Sequence, residues 1–128
     1  DLVLDVAHNP EAAGVLATNL GQLAFAHTQH GVLGMMADKD LLGVLRPLVK
    51  QIGRWYLAPL ESPRSATPEM LQETLLSLGV KPDQIESFEN PAAAYAAARK
   101  TATESDRIVA FGSFLTVADV LRDLGRTA

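Results

Sequence analysis

Short apolar runs alternate with stretches of helical periodicity from one end of this chain to the other, and few folds accommodate that order. Leu2–Leu4 is the first strand-length run. Residues 10–24 follow, with Ala13, Leu16, Leu20 and Leu23 at helical spacing. A second strand lies within residues 30–36. Residues 41–52 then carry Leu41, Leu42, Leu45, Leu48, Val49 and Ile52 on one side, and Pro47 inside that pattern should kink or break the helix near Arg46. Residues 54–58 form the third strand, 85–88 a short fourth and 108–111 the fifth. Between the third and fourth strands, Thr67 caps a helix that has Pro68 at its first position and Glu69 at its positive end, and that stops at Gly79. Asn90-Pro91 opens an alanine-rich helix reaching Thr103, and residues 116–124 form the last one. Crossovers this long rule out hairpins, so the strands run parallel and are buried on both faces. The expected fold is α/β: a three-layer, Rossmann-like single domain with a mainly parallel sheet of about five strands and helices on both faces.

In open sheets of this kind ligands bind beyond the carboxyl ends of the strands. The first strand ends on Asp5, and Val6-Ala7 lead to His8-Asn9-Pro10. Asn9 suits an N-cap and Pro10 a first helical position, so an acid and an imidazole sit beside a helix N-terminus, whose free N–H groups attract anions. Local turn roles for Asp5 and His8 explain them equally well at this level. The second strand leads to Asp38-Lys39-Asp40. Asp38 reads as the N-cap of the next helix and Asp40 as an acid of its first turn, while Lys39 is either a phosphate ligand or simply solvated. The third strand leads into the loop 59–67, whose Arg64 is exposed-looking. The fifth ends on Gly112-Ser113, where a hydroxyl and backbone N–H groups suit a carboxylate or phosphate, or a helix cap.

Several function classes drop out. Eleven Lys and Arg are scattered over a chain of net charge -4, which is no nucleic-acid footprint. No cysteine is present, so there is no disulfide framework and no thiol nucleophile. No apolar run reaches the roughly 18 residues of a membrane span. There is no G-x-G-x-x-G after the first strand and no G-x-x-x-x-G-K-[ST], hence neither a dinucleotide fingerprint nor a P-loop. Ser113, His8 and Asp5 lack the G-x-S-x-G elbow of a hydrolase. The third and fifth strand ends lack the acceptor Asp and the Lys of a receiver-type signalling module. His27 and His30 flank the start of the second strand, away from the ligand side, and have no clustered acids to make a metal site. Trp55 and Tyr56 read as packing residues. The chain opens directly on a strand, without methionine, and is expected to be a fragment of a longer protein.

Five stretches together are specific: Asp5-Val-Ala-His8-Asn9-Pro10, Gly34-Met-Met-Ala-Asp38-Lys39-Asp40, Trp55-Tyr-Leu-Ala-Pro-Leu60, Pro63-Arg64-Ser65-Ala66 and Gly112-Ser113-Phe-Leu-Thr-Val117. In this order they resemble the C-terminal domain of the bacterial dihydrofolate synthase/folylpolyglutamate synthases of the Mur ligase family. Ser62 departs from the glycine expected before Pro63, which should alter loop freedom and not chemistry. The resemblance implies a cytoplasmic ATP- and Mg2+-dependent ligase of folate biosynthesis that joins L-glutamate to dihydropteroate and folates through an acyl phosphate. It implies that the P-loop and most Mg2+ ligands belong to an upstream ATPase domain, so that this domain alone is inactive and has no metal site of its own. It makes Asp5 an ATP contact, His8 a catalytic group near the transferred phosphate and the glutamate, and Ser113 a glutamate ligand, with Asn9, Asp38 and Lys39 as supporting loop residues. It also implies a fifth strand lying between the first and second. Another amino-acid ligase domain of the same family and a non-catalytic interaction domain are the alternatives.

Overall fold

A computed structural model describes residues 2–23 and 26–127. Five strands, β1 (Leu2–Leu4), β2 (Gln29–Leu33), β3 (Arg54–Leu57), β4 (Ile85–Ser87) and β5 (Arg107–Phe111), alternate with helices α1 (Pro10–Gln22), α2 (Leu41–Leu45), α3 (Pro68–Ser77), α4 (Pro91–Thr101) and α5 (Phe114–Thr127). The sheet is wholly parallel, in the order β1-β5-β2-β3-β4. The fifth strand therefore lies between the first and second, as the resemblance implied. Its residues split by period two. Val109 and Phe111 join the core under α1, α2 and α3, with Leu16, Leu20, Leu45, Leu71 and Leu75. Ile108 and Ala110 join the core under α4 and α5, with Ala94, Ala98 and Val120. The alanines of α4 that face the sheet are fully buried, which lets that helix lie close to it.

Local signals set most boundaries. Asn9, Thr67 and Asn90 each cap their helix through a side-chain oxygen, with proline following as the first helical residue. Pro47 does break the second helix: α2 ends at Leu45 and Arg46–Leu48 is a 3-10 turn. The end of α3 is a Schellman motif, with Val80 N–H donating to Leu75 O, Gly79 N–H to Leu76 O, and Gly79 at φ 94°. Several bounds change, α4 ending at Thr101 and α5 running on to Thr127 among them. The last helix starts at Phe114, two residues before the apolar pattern begins, because Ser113 caps it. β2 stops at Leu33, and beyond it Met36 pairs with Ser65 in an antiparallel bridge. α1 ends at Gln22, and Ala24 lies outside the described residues. Trp55 and Tyr56 are buried packing residues, Trp55 edge-on to Phe111 and Tyr56 stacked on Phe88. Among the described residues no helix is long and apolar enough to cross a membrane.

Candidate functional site

Asp5 extends the β1–β5 pairing by one residue, its N–H donating to Ala110 O at 3.0 Å. Its carboxylate then turns back, Oδ1 accepting the Ala7 N–H at 2.8 Å. This Asx turn uses one carboxylate oxygen of a half-buried side chain. His8 is exposed just beyond it. Asn9 Oδ1 accepts the Ala12 N–H at 2.8 Å and starts α1. The turn thus places an acid and an imidazole at the positive end of a 13-residue helix.

The neighbouring strand end supplies Ser113. Gly112 has φ 108°, and a Cβ there would come within 2.5 Å of the Gly34 carbonyl oxygen, so only glycine makes this turn. Ser113 is 8% exposed, and its Oγ accepts the Leu115 N–H at 3.2 Å. The cap reading is therefore correct, and it leaves the hydroxyl hydrogen free to donate. Because β5 lies beside β1, the Ser113 turn stands next to the Asp5–His8 turn. Among the described residues no hydrogen bond links Asp5, His8 and Ser113 to one another, so they form no relay.

The β2 end corrects one assignment. Asp40, and not Asp38, is the N-cap of α2, its Oδ1 accepting the Gly43 N–H at 2.9 Å. Lys39 N–H bonds back to Met36 O, and the tight turn this closes carries Asp38 at its exposed tip, too early to cap. There Asp38 lies 4.0 Å from Arg64 Nη1 in an exposed ion pair. Lys39 is half-buried. The loop after β3 is held by β2's continuation: Ala37 N–H donates to Arg64 O, and Ala66 N–H to Met35 O. Ser65 Oγ accepts the Leu60 N–H at 2.7 Å, and Ser62 Oγ accepts the Arg64 N–H at 3.2 Å. Ser62 therefore supplies a loop contact that glycine would not. Ser65 thus staples the loop, a role that a hydroxyl within a Pro-rich stretch can signal.

A cavity of about 470 Å³ opens beyond β3 and β4, lined in part by Leu60, Glu89, Asn90, Leu115 and Asp119, and not by Asp5, His8 or Ser113. Of those three, His8 is exposed, Asp5 half-buried and Ser113 buried. Among the described residues no group of three acids or histidines is placed to hold a metal.

The family model described as "Mur ligase, glutamate ligase domain" matches residues 1–114. The chain belongs to the Mur ligase family. Over 120 residues this Mur ligase domain is 40% identical to the dihydrofolate synthase/folylpolyglutamate synthase of Escherichia coli (strain K12), covering 94% of this chain and 27% of that protein. The E. coli FolC structure in complex with DHPP and ADP superposes at a TM-score of 0.86 with 38% identity, over 99% of this chain and 29% of that one. A bifunctional folylpolyglutamate synthase/dihydrofolate synthase with Mn, AMPPNP and L-glutamate bound also superposes at 0.86, with 39% identity, over 97% of this chain and 29% of that one. The Mur ligase domain described here therefore spans a little over a quarter of these relatives.

Proposed function

We propose that these residues are the C-terminal, glutamate-receiving domain of a cytoplasmic dihydrofolate synthase/folylpolyglutamate synthase. The observation that carries this reading is the adjacency of β1 and β5, which sets the Asp5–His8 and Ser113 turns side by side at the carboxyl end of the sheet of a Mur ligase domain. In the proposed reaction a pteroate or folate carboxylate is activated as an acyl phosphate at the expense of ATP. The amino group of L-glutamate attacks it, and phosphate leaves. ATP, with Mg2+ held mainly by the upstream ATPase domain, supplies the phosphoryl group. The cytoplasm is where such a consumer of ATP and folates would work.

The residues here suit that chemistry. A carboxylate only accepts, so Asp5 would hold the nucleotide through a hydroxyl or through Mg2+, and not through a bare phosphate oxygen. His8, exposed at the α1 N-terminus, would offer an N–H to the anion that forms during transfer. The Ser113 hydroxyl, with its hydrogen free, would donate to a glutamate carboxylate. Asn9 orients the first turn, and Asp38 and Lys39 flank the opening. Closure of the two domains would exclude water from the acyl phosphate.

The test is a ligation assay. The full-length protein should form the glutamate conjugate of dihydropteroate with stoichiometric ADP, and these 128 residues alone should form none. ATP-dependent ligation by the isolated domain would refute the division of labour, and full-length activity on another amino acid only would refute the substrate.

A further inference from the structure

Ser113 follows a glycine that has no side chain of its own to anchor the turn, so the packing around Gly112 must hold it. Three strand ends meet there. Gly112 stands so close to the Gly34 carbonyl that a Cβ would lie 2.5 Å from its oxygen. A Cβ on Gly34 would in turn meet Thr116 Oγ1 at 2.9 Å and Ala58 O at 3.2 Å. Thr116 is completely buried in the first turn of α5, and its hydroxyl donates to Gly34 O at 2.9 Å. This bond ties α5 to the end of β2, and the same β2 continuation holds the Arg64 loop through Met35 and Ala37. Val117 N–H closes the turn onto Ser113 O at 3.2 Å, so Ser113 and Thr116 move as one unit.

We propose that Thr116 is a positioning residue for the incoming amino acid: its hydroxyl locks the β5–α5 turn onto the Gly34 carbonyl and so aims the Ser113 hydroxyl at the glutamate. This rests on the Ser113 assignment proposed above. Valine has the shape of threonine without the hydroxyl, so Thr116→Val leaves the buried carbonyl without its donor and the turn free to shift. Displacements of about 1 Å in a positioned group lower catalytic efficiency by up to about a hundredfold.

The experiment is steady-state kinetics on the full-length ligase, with thermal unfolding of each variant alongside. Thr116→Val should raise KM for L-glutamate about tenfold and leave KM for ATP within about twofold, with Thr116→Ser restoring both. In a Ser113→Ala background Thr116→Val should add almost nothing, because the group it aims is gone. An unchanged glutamate KM in Thr116→Val, beside a raised one in Ser113→Ala, overturns the role of Thr116 alone. So does an undiminished effect of Thr116→Val in the Ser113→Ala background. If Ser113→Ala itself leaves the glutamate KM unchanged, the Ser113 assignment falls and this role falls with it. Thr116→Ala gives the same readings should the valine variant not fold.

Discussion

The two ends of the sheet treat polar side chains in opposite ways. At the amino end they are buried and consume one another. His30, 2% exposed, is 2.8 Å from Tyr56 Oη through Nδ1 and 2.9 Å from Asp106 Oδ2 through Nε2. A carboxylate can only accept, so Nε2 carries the hydrogen in that pair. Asp106 also accepts the N–H groups of Thr28 and Thr103. The His30 hydrogen bond, then the Thr103 amide, hold its carboxyl well below the usual range, at about 2. Beside them Arg107 Nη1 donates to Gln29 Oε1, and Gln29 Nε2 to Gln51 O. At the carboxyl end Asp5 spends one oxygen on its own turn, Ser113 keeps a hydrogen, and His8 stands in the open. A histidine, a tyrosine and a perturbed aspartate have the composition of an active site, yet their polar atoms are taken up by one another and by backbone N–H groups. The plainer trio runs from exposed His8 through half-buried Asp5 to buried Ser113, beside a helix N-terminus. Uncommitted hydrogen-bonding capacity, and not pKa perturbation, sets the carboxyl-end trio apart from the cluster at the amino end.

That contrast makes the largest prediction one of activity. Asp5→Ala in the full-length enzyme should lower ATP-dependent ligation about a hundredfold while costing under about 1 kcal/mol of stability, measured by initial rates and thermal melts. A large drop in melting temperature with unchanged ATP affinity would place Asp5 among the structural groups instead. Gly112→Ala marks where the open end stops being tolerant. With φ at 108° and the Gly34 carbonyl in the way, it should lose about 3 kcal/mol in urea unfolding. A loss under about 1 kcal/mol would mean the turn relaxes freely.

At the closed end Asp106→Asn should cost on the order of 2 kcal/mol. The sign with pH follows from the lowered carboxyl. Asp106 titrates at about 2 when folded and near 3.8 otherwise, so its contribution is complete above 3.8 and disappears as pH falls toward 2. Unfolding followed by the fluorescence of the single, buried Trp55 should show wild-type stability falling through that window and the Asn variant falling less. Parallel curves would remove Asp106 from the account. The smallest effects separate two neighbours. Asp40→Ala should lose about 1 kcal/mol with its cap, and Asp38→Ala under about 0.5 kcal/mol, since an exposed ion pair contributes little. Equal losses in thermal melts would reverse that assignment.

Much of this was legible in advance, and for local reasons. Asn9-Pro10, Thr67-Pro68 and Asn90-Pro91 announce helix starts because a cap and its helix are neighbours in the chain. Pro47 breaks its helix through its own ring and missing N–H. Asp38 and Asp40 are both good caps, and only the Met36–Lys39 turn selects Asp40. The His30–Asp106 pair was not legible: nothing within a few residues of either marks it.

The alternation of strand and helix, the caps and breaks, and the polar groups at each strand end follow from the order of residues alone. Those depend on side-chain periodicity and short-range hydrogen bonds. Strand order is different. A period-two apolar pattern states which faces are buried and is silent on which strand lies alongside, so residue patterning alone could not bring Ser113 to Asp5; the family resemblance implied it. The packed sheet did so, by burying β5 between β1 and β2 and pressing Gly112 and Thr116 onto the end of β2.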